Sequence, residues 1–143
     1  MVKVFLDTNI IMDFLEKERK RHAASSAVIR ECLVGNIKGC ISETVVTNCS
    51  YLLRKTYSQT QLNEIFSNFS LYFEYLSINN LSIQKACKVN IRDLEDAILY
   101  QIALEHSCQY FVTTNSKDFF SISQPILKVV TPEEFMEIYN SKN

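Results

Sequence analysis

The segment that most constrains this chain is its first fifteen residues. Val2 to Leu6 form a short apolar run with β-branched and aromatic members, Asp7-Thr8-Asn9 break it, and Ile10, Ile11, Phe14 and Leu15 follow at helical spacing. A strand covered on both faces reads as a nearly continuous apolar run rather than an alternation. Asp, Thr and Asn are all helix-capping residue types. Strand, polar corner and helix start are thus packed together, as at the opening of a parallel α/β unit.

The same grammar recurs downstream. A charged connection, Lys17 to Arg21, leads to a helix over Ala23 to Leu33 that Gly35 stops. Lys38 to Ile41 is a second strand, and Ser42 and Glu43 open a helix reaching about Arg54. A helix is expected from Ser58 to Phe73, with Leu62, Ile65, Phe66 and Phe69 on one face, then a short strand from Tyr75 to Ile78. Ser82 to Val89 and Asp93 to His106 read as helices, Tyr110 to Thr113 and Lys128 to Val130 as strands. Pro132-Glu133-Glu134 starts a last helix, with Pro at its first position and acids near its positive end. Strands alternating with helices call for an α/β fold, a three-layer α/β/α sandwich around a mainly parallel, roughly five-stranded sheet. No repeat or linker divides the 143 residues, so one domain is expected over 1–143.

Composition narrows the function classes. Two Gly and two Pro argue against a Gly-rich phosphate loop and against a turn-dense β-sandwich. With 15 basic and 16 acidic residues the net charge is −1, so any nucleic-acid contact must come from a local patch or through a metal. Cys32, Cys40, Cys49, Cys87 and Cys108 contain no CxxC pair, and buried reduced thiols are the expected state. Asp7 interrupts the apolar core a signal peptide needs, and no apolar run reaches the ~18 residues that span a bilayer. A cytoplasmic protein without a membrane contact is the expectation.

Chemistry is expected outside the carboxyl ends of the strands. Asp7 ends the first strand, and Asn115 and Asp118 follow the strand Tyr110 to Thr113. Asp93 and Asp96, three apart in a first helical turn, project from one face. Taken singly each has a plain structural reading: Asp7 a helix cap, Asp93 and Asp96 complements to the helix dipole, Asn115 and Asp118 a polar turn. Taken together they gather at one rim, where carboxylates repel unless a hard divalent cation compensates. Two such cations ~4 Å apart can activate water and stabilise the leaving oxygen of a phosphodiester. Glu95 is expected on another, solvated side of its helix. His22 belongs to no metal-ligand pattern and is given a structural or capping role.

At these residues the sequence resembles the PIN domain family, and within it the VapC-like toxin ribonucleases of bacterial toxin–antitoxin systems. Val4-Phe5-Leu6-Asp7-Thr8-Asn9-Ile10 is similar to the family's first strand and acid, Asp93-Leu94-Glu95-Asp96-Ala97-Ile98 to its third acidic motif, and Val112 to Phe119 to its fourth. The resemblance implies a Mg²⁺- or Mn²⁺-dependent endoribonuclease that cuts RNA by water attack, is restrained by a cognate antitoxin protein and pairs as a homodimer. Carried over by motif, Asp7, Asp96 and Asp118 hold the metal, Asp93 supports Asp96, and Thr8 and Asn9 orient Asp7.

Two positions depart from the family pattern. Alignment on Tyr51-Leu52-Leu53-Arg54 puts Asn48 where the family's second acid, a Glu, usually stands. Glu43 lies five residues early, where a dipole or capping role accounts for it. Asn115 stands where many relatives carry Asp. A less negative site follows, with weaker metal affinity or one metal rather than two. The rival reading is a catalytically weakened RNA- or partner-binding module. A DNA flap or exonuclease of the wider superfamily is a third. Cations for RNA are sought in Lys17 to Arg21, Arg54-Lys55 and Lys117, although an ordinary solvated face explains the first equally well.

Overall fold

The structure, a computed structural model, describes residues 1–142. Five strands, β1 (Lys3–Leu6), β2 (Lys38–Ser42), β3 (Phe73–Leu76), β4 (Tyr110–Val112) and β5 (Lys128–Val130), form one sheet in the order β3-β2-β1-β4-β5. Every neighbouring pair is parallel. The seven helices are α1 (Thr8–Leu15), α2 (His22–Leu33), α3 (Glu43–Leu52), α4 (Gln59–Phe69), α5 (Asn80–Lys88), α6 (Leu94–Glu105) and α7 (Pro132–Lys142), with a 3₁₀ turn at Ser116–Phe119. This is the expected α/β architecture.

The strand order dictates where the helices go. From β1 the chain steps outward to β2 and β3, then crosses back to β4 and continues to β5 on the other side. Right-handed crossovers place α1 to α4 on one face and α5 and α6 on the opposite one. The contacts agree: α1 packs on α2 and α3, α2 on α7, and α5 on α6. The direction of winding reverses between β1 and β4, and such a switch point leaves a crevice at the strands' carboxyl ends.

A continuous apolar core fills both interlayer spaces. Phe5 and Phe111, in register on adjacent strands, stack with centroids 5.2 Å apart, and Phe119 and Tyr100 close over Phe111. Burying side chains of this size contributes about 2–3 kcal/mol each. Cys32, Cys40, Cys49 and Cys108 are buried free thiols and Cys87 is exposed. Among the described residues no helix is long and apolar enough to cross a membrane.

Several boundaries move. The helix expected to reach Phe73 ends at Phe69, and the strand expected at Tyr75 to Ile78 lies two residues earlier. Phe69 and Phe73 pack ring on ring at 5.1 Å, which the chain achieves by turning between them. The helix expected from Ser82 begins at Asn80, because Asn79 caps it and Ser82 completes a capping box from inside the first turn.

Candidate active site

Asp7 sits at the switch point. Its backbone N–H donates to Val112 O at 3.0 Å, extending the β1–β4 pairing to the strand ends. The side chain is 7% exposed, and both oxygens are engaged. Oδ1 accepts the Thr8 backbone N–H at 2.8 Å as the cap of α1, and Oδ2 accepts the Thr113 hydroxyl at 2.8 Å. Capping and site roles coincide in one residue. Burial pushes the Asp7 carboxyl above the usual range, the two hydrogen bonds pull against that rise, and the Asp93 charge adds to it.

Asp93 is not within the first turn of α6, as its spacing to Asp96 suggests, but just before it. Its side chain caps the helix, accepting the N–H groups of Glu95 at 2.9 Å and Asp96 at 3.4 Å. The cap turns the first turn of α6 toward the crevice, and Asp96 is half-buried there. Its carboxyl is pushed up to about 7, first by burial and then by the charges of Asp7, Asp93, Glu95 and Asp118. Asp118 is exposed on the 3₁₀ turn, which Phe119 anchors in the core at 1% exposure. Asn115 supports the turn: its N–H donates to Thr113 Oγ1 at 3.2 Å and its carbonyl accepts Asp118 N–H at 3.0 Å.

All eight residues singled out from the sequence line one cleft of about 370 Å³: Asp7, Thr8, Asn9, Asn48, Asp93, Asp96, Asn115 and Asp118. Tyr51, Leu52 and Glu95 complete its wall. Glu95 is exposed, as expected, but it borders the cleft rather than another side of its helix. It accepts the Asn48 amide at 2.8 Å, from α3 across to α6, and its carboxyl is raised by burial and by the charges of Asp93 and Asp7. Glu43, as expected, stays away from this cleft, at the first position of α3.

The cation candidates divide. Arg19 is committed to the fold: Nε donates to Asp13 Oδ1 at 2.8 Å, Nη1 to Glu16 Oε1 at 3.4 Å, and Nη2 to Asn9 Oδ1 at 3.3 Å. Arg21 pairs with Glu133 at 2.6 Å. Arg54 lies over the Tyr51 ring at 3.9 Å and donates to the Tyr51 carbonyl at 2.6 Å. Lys17, Lys20, Lys55 and Lys117 are exposed. His22 has the expected structural role, its Nδ1 lying 2.7 Å from the Asp13 carbonyl oxygen.

Among the described residues no three His, Cys, Asp or Glu side chains are already grouped as a ready set of metal ligands. The cleft nevertheless suits a hard cation on its chemistry. Its charged donors are all carboxylate oxygens, burial and then the neighbouring charges favour the neutral form of Asp96, and Thr8 Oγ1 beside Asp7 is buried without a partner among the described residues.

A parallel sheet with an acidic crevice at its switch point defines an α/β domain whose candidate site lies at the carboxyl ends of the strands. The PIN domain family profile matches residues 3–117, and the chain belongs to that family. It is 30% identical to Ribonuclease VapC1 of Aquifex aeolicus (strain VF5), over 97% of this chain and 96% of the relative. Among solved structures it resembles VapBC2 from Rickettsia felis bound to a promoter DNA fragment, with a TM-score of 0.68, 20% identity and coverage of 91% of this chain and 98% of that one. A toxin–antitoxin complex from Klebsiella pneumoniae gives a TM-score of 0.65 at 23% identity, covering 90% and 97%.

Proposed function

We propose that this chain is a Mg²⁺-dependent endoribonuclease, with Mn²⁺ an alternative ion, and that it acts as the toxin of a toxin–antitoxin pair. The observation that carries the reading is the meeting of Asp7, Asp93, Glu95, Asp96 and Asp118 on one cleft at the β1–β4 switch point. The ribonuclease relative, aligned over nearly the whole chain, supports it. The toxin–antitoxin complexes among the structural neighbours support a protein antitoxin as partner. The pairing of two copies of this chain is part of the same proposal and is read by light scattering.

Asp7, Asp96 and Asp118 would hold the cation, Asp7 from a fixed position because Thr8 and Thr113 clamp both its oxygens. When bound, the ion neutralises charge on the phosphodiester and acidifies the attacking water. Asp96 and Asp118, on the open side of the cleft, orient that water. Asp93 keeps the start of α6 in place. Glu95, held by Asn48, returns to the cleft the negative charge that Asn48 itself lacks.

The weakened-module reading rests on Asn48 and Asn115. Against it stand the Asn48–Glu95 bond and the use of Asn115 as a backbone support for Asp118. The deciding experiment is cleavage of unstructured RNA with Mg²⁺, with EDTA, and by an Asp7→Asn/Asp96→Asn variant, alongside a flap DNA. Loss of RNA only in the first sample is expected. Equal RNA loss in all three would end the enzyme reading, and preferential cutting of the flap would move the substrate to DNA.

A further inference from the structure

A second cavity of about 500 Å³ opens against the outer side of the acidic wall, lined by Ile91, Arg92, Leu94 and the same Asp93, Asp96 and Asp118 that border the cleft. Its other lining differs in kind from the cleft. Leu94 is 52% exposed at the first position of α6, Ile91 is half-buried, and Arg92 is exposed. Arg92 makes no hydrogen bond or ion pair among the described residues, whereas Arg19 and Arg21 hold carboxylates and Arg54 lies on Tyr51; Arg30, likewise unpaired, is exposed on α2 and lines neither the cleft nor this cavity. Its guanidinium at Arg92 is thus paired with none of the carboxylates that share the cavity lining. The segment carrying it is tied down, since Ser121 Oγ donates to Asn90 O at 3.2 Å and the Asp93 cap fixes its other end.

We propose that this cavity is a subsite for the RNA nucleotide next to the scissile phosphate. Arg92 takes that nucleotide's phosphate, and Ile91 and Leu94 pack against its base or ribose. The inference rests on the ribonuclease reading above. Three features select a nucleotide. The cavity has the size of a small-ligand site. It is continuous with the cleft through three shared carboxylates, so a strand lying across the acids enters it directly. It also offers a planar cation and apolar side chains, the pairing that takes up single-stranded RNA through its backbone and its base faces. The acidic wall repels a free phosphate, so the anion is accepted only at the rim that Arg92 supplies.

The test measures binding of a single-stranded RNA octamer by fluorescence anisotropy in an Asp7→Asn background, which is expected to stop turnover and lies outside the cavity lining. Arg92→Ala is compared with Lys88→Ala, which removes the same charge from an exposed site outside the cavity. Arg92→Ala is expected to weaken binding about tenfold, the worth of one charge-assisted hydrogen-bonded contact, and to reduce the salt slope by roughly 0.7. Leu94→Ala should weaken binding without changing that slope, and Lys88→Ala should change neither quantity. Equal losses for Arg92→Ala and Lys88→Ala would mean diffuse electrostatics and overturn the subsite while leaving the ribonuclease reading intact. A parent protein that binds no RNA would overturn both.

Discussion

The Asn48 amide donates to Glu95 Oε1 at 2.8 Å, joining α3 to the first turn of α6 across the mouth of the acidic cleft. The Asn48 amide, expected from the sequence to stand in place of a family carboxylate, thus holds a carboxylate from another helix. If Glu95 supplies charge to the cation site, Glu95→Gln should lower Mg²⁺-dependent cleavage at limiting Mg²⁺ and recover part of it at high Mg²⁺. Asn48→Ala, which frees Glu95 without removing its charge, should show the same trend more weakly. A magnesium titration of the initial rate reads both. Wild-type titration curves for the two variants would return Glu95 to the solvated role expected of it from sequence.

Thr113 is fully buried and places its hydroxyl 2.8 Å from Asp7 Oδ2. Thr113→Val keeps the shape and removes the donor, leaving a buried carboxylate oxygen short of a partner. The expected loss is about 1–3 kcal/mol of stability, measured by urea unfolding at neutral pH. Turnover should fall as well, about tenfold or more, because Asp7 is then held by Thr8 alone. Thr113→Ser should restore most of both. A Thr113→Val protein of unchanged stability and rate would mean the bond is incidental.

Both Asp7 and Asp96 have folded-state carboxyls raised above the unfolded value, Asp96 to about 7. A raised acid binds more protons folded than unfolded. Its contribution is therefore most favourable below about pH 4 and is lost as pH climbs through the folded value. In EDTA, the melting temperature of Asp96→Asn should exceed that of wild type at pH 8 by a few degrees, with the gap closing toward pH 5. Mg²⁺ should raise the wild-type midpoint at pH 8 and raise that of Asp96→Asn much less. Parallel midpoint curves for the two proteins across this range would show that the cleft carries no such repulsion.

The order of elements and the place of the acids could be read from the chain because both are local. An apolar run ended by Asp7-Thr8-Asn9 admits one sensible fold of strand, corner and helix, and strands β1 and β4 each end at a polar group. Glu95 and Arg92 could not be read this way. Glu95 lines the cleft and accepts the Asn48 amide from α3, which lies on the other face of the sheet, a tertiary fact that no helical wheel contains. Arg92 stands in an unpatterned stretch, and its significance lies in the partners it lacks. The slip of β3 has a local cause: Phe69, Tyr72, Phe73 and Tyr75 leave helix and strand periodicities equally plausible until ring packing decides.

Asp13 carries the last prediction, because the segment Lys17 to Arg21 can serve either RNA or the fold. The Asp13 carboxylate is 3% exposed and both its oxygens are taken, by Arg19 Nε at 2.8 Å and Ser25 Oγ at 2.7 Å. Arg19 then extends to Asn9 in the cleft wall at 3.3 Å. Removing one partner of such a pair leaves an uncompensated charge, which costs several kcal/mol when fully enclosed and less where the cation is one-third exposed, as here. Arg19→Ala should therefore destabilise by roughly 2 kcal/mol and lower the melting temperature by about 6 °C. RNA binding measured well below that temperature should keep its salt slope, since Arg19 acts as a strut between Asp13 and Asn9 rather than as a phosphate ligand. The opposite pattern, an unchanged melting temperature with a shallower salt slope, would make Arg19 a contact to RNA and its bond to Asp13 a resting position.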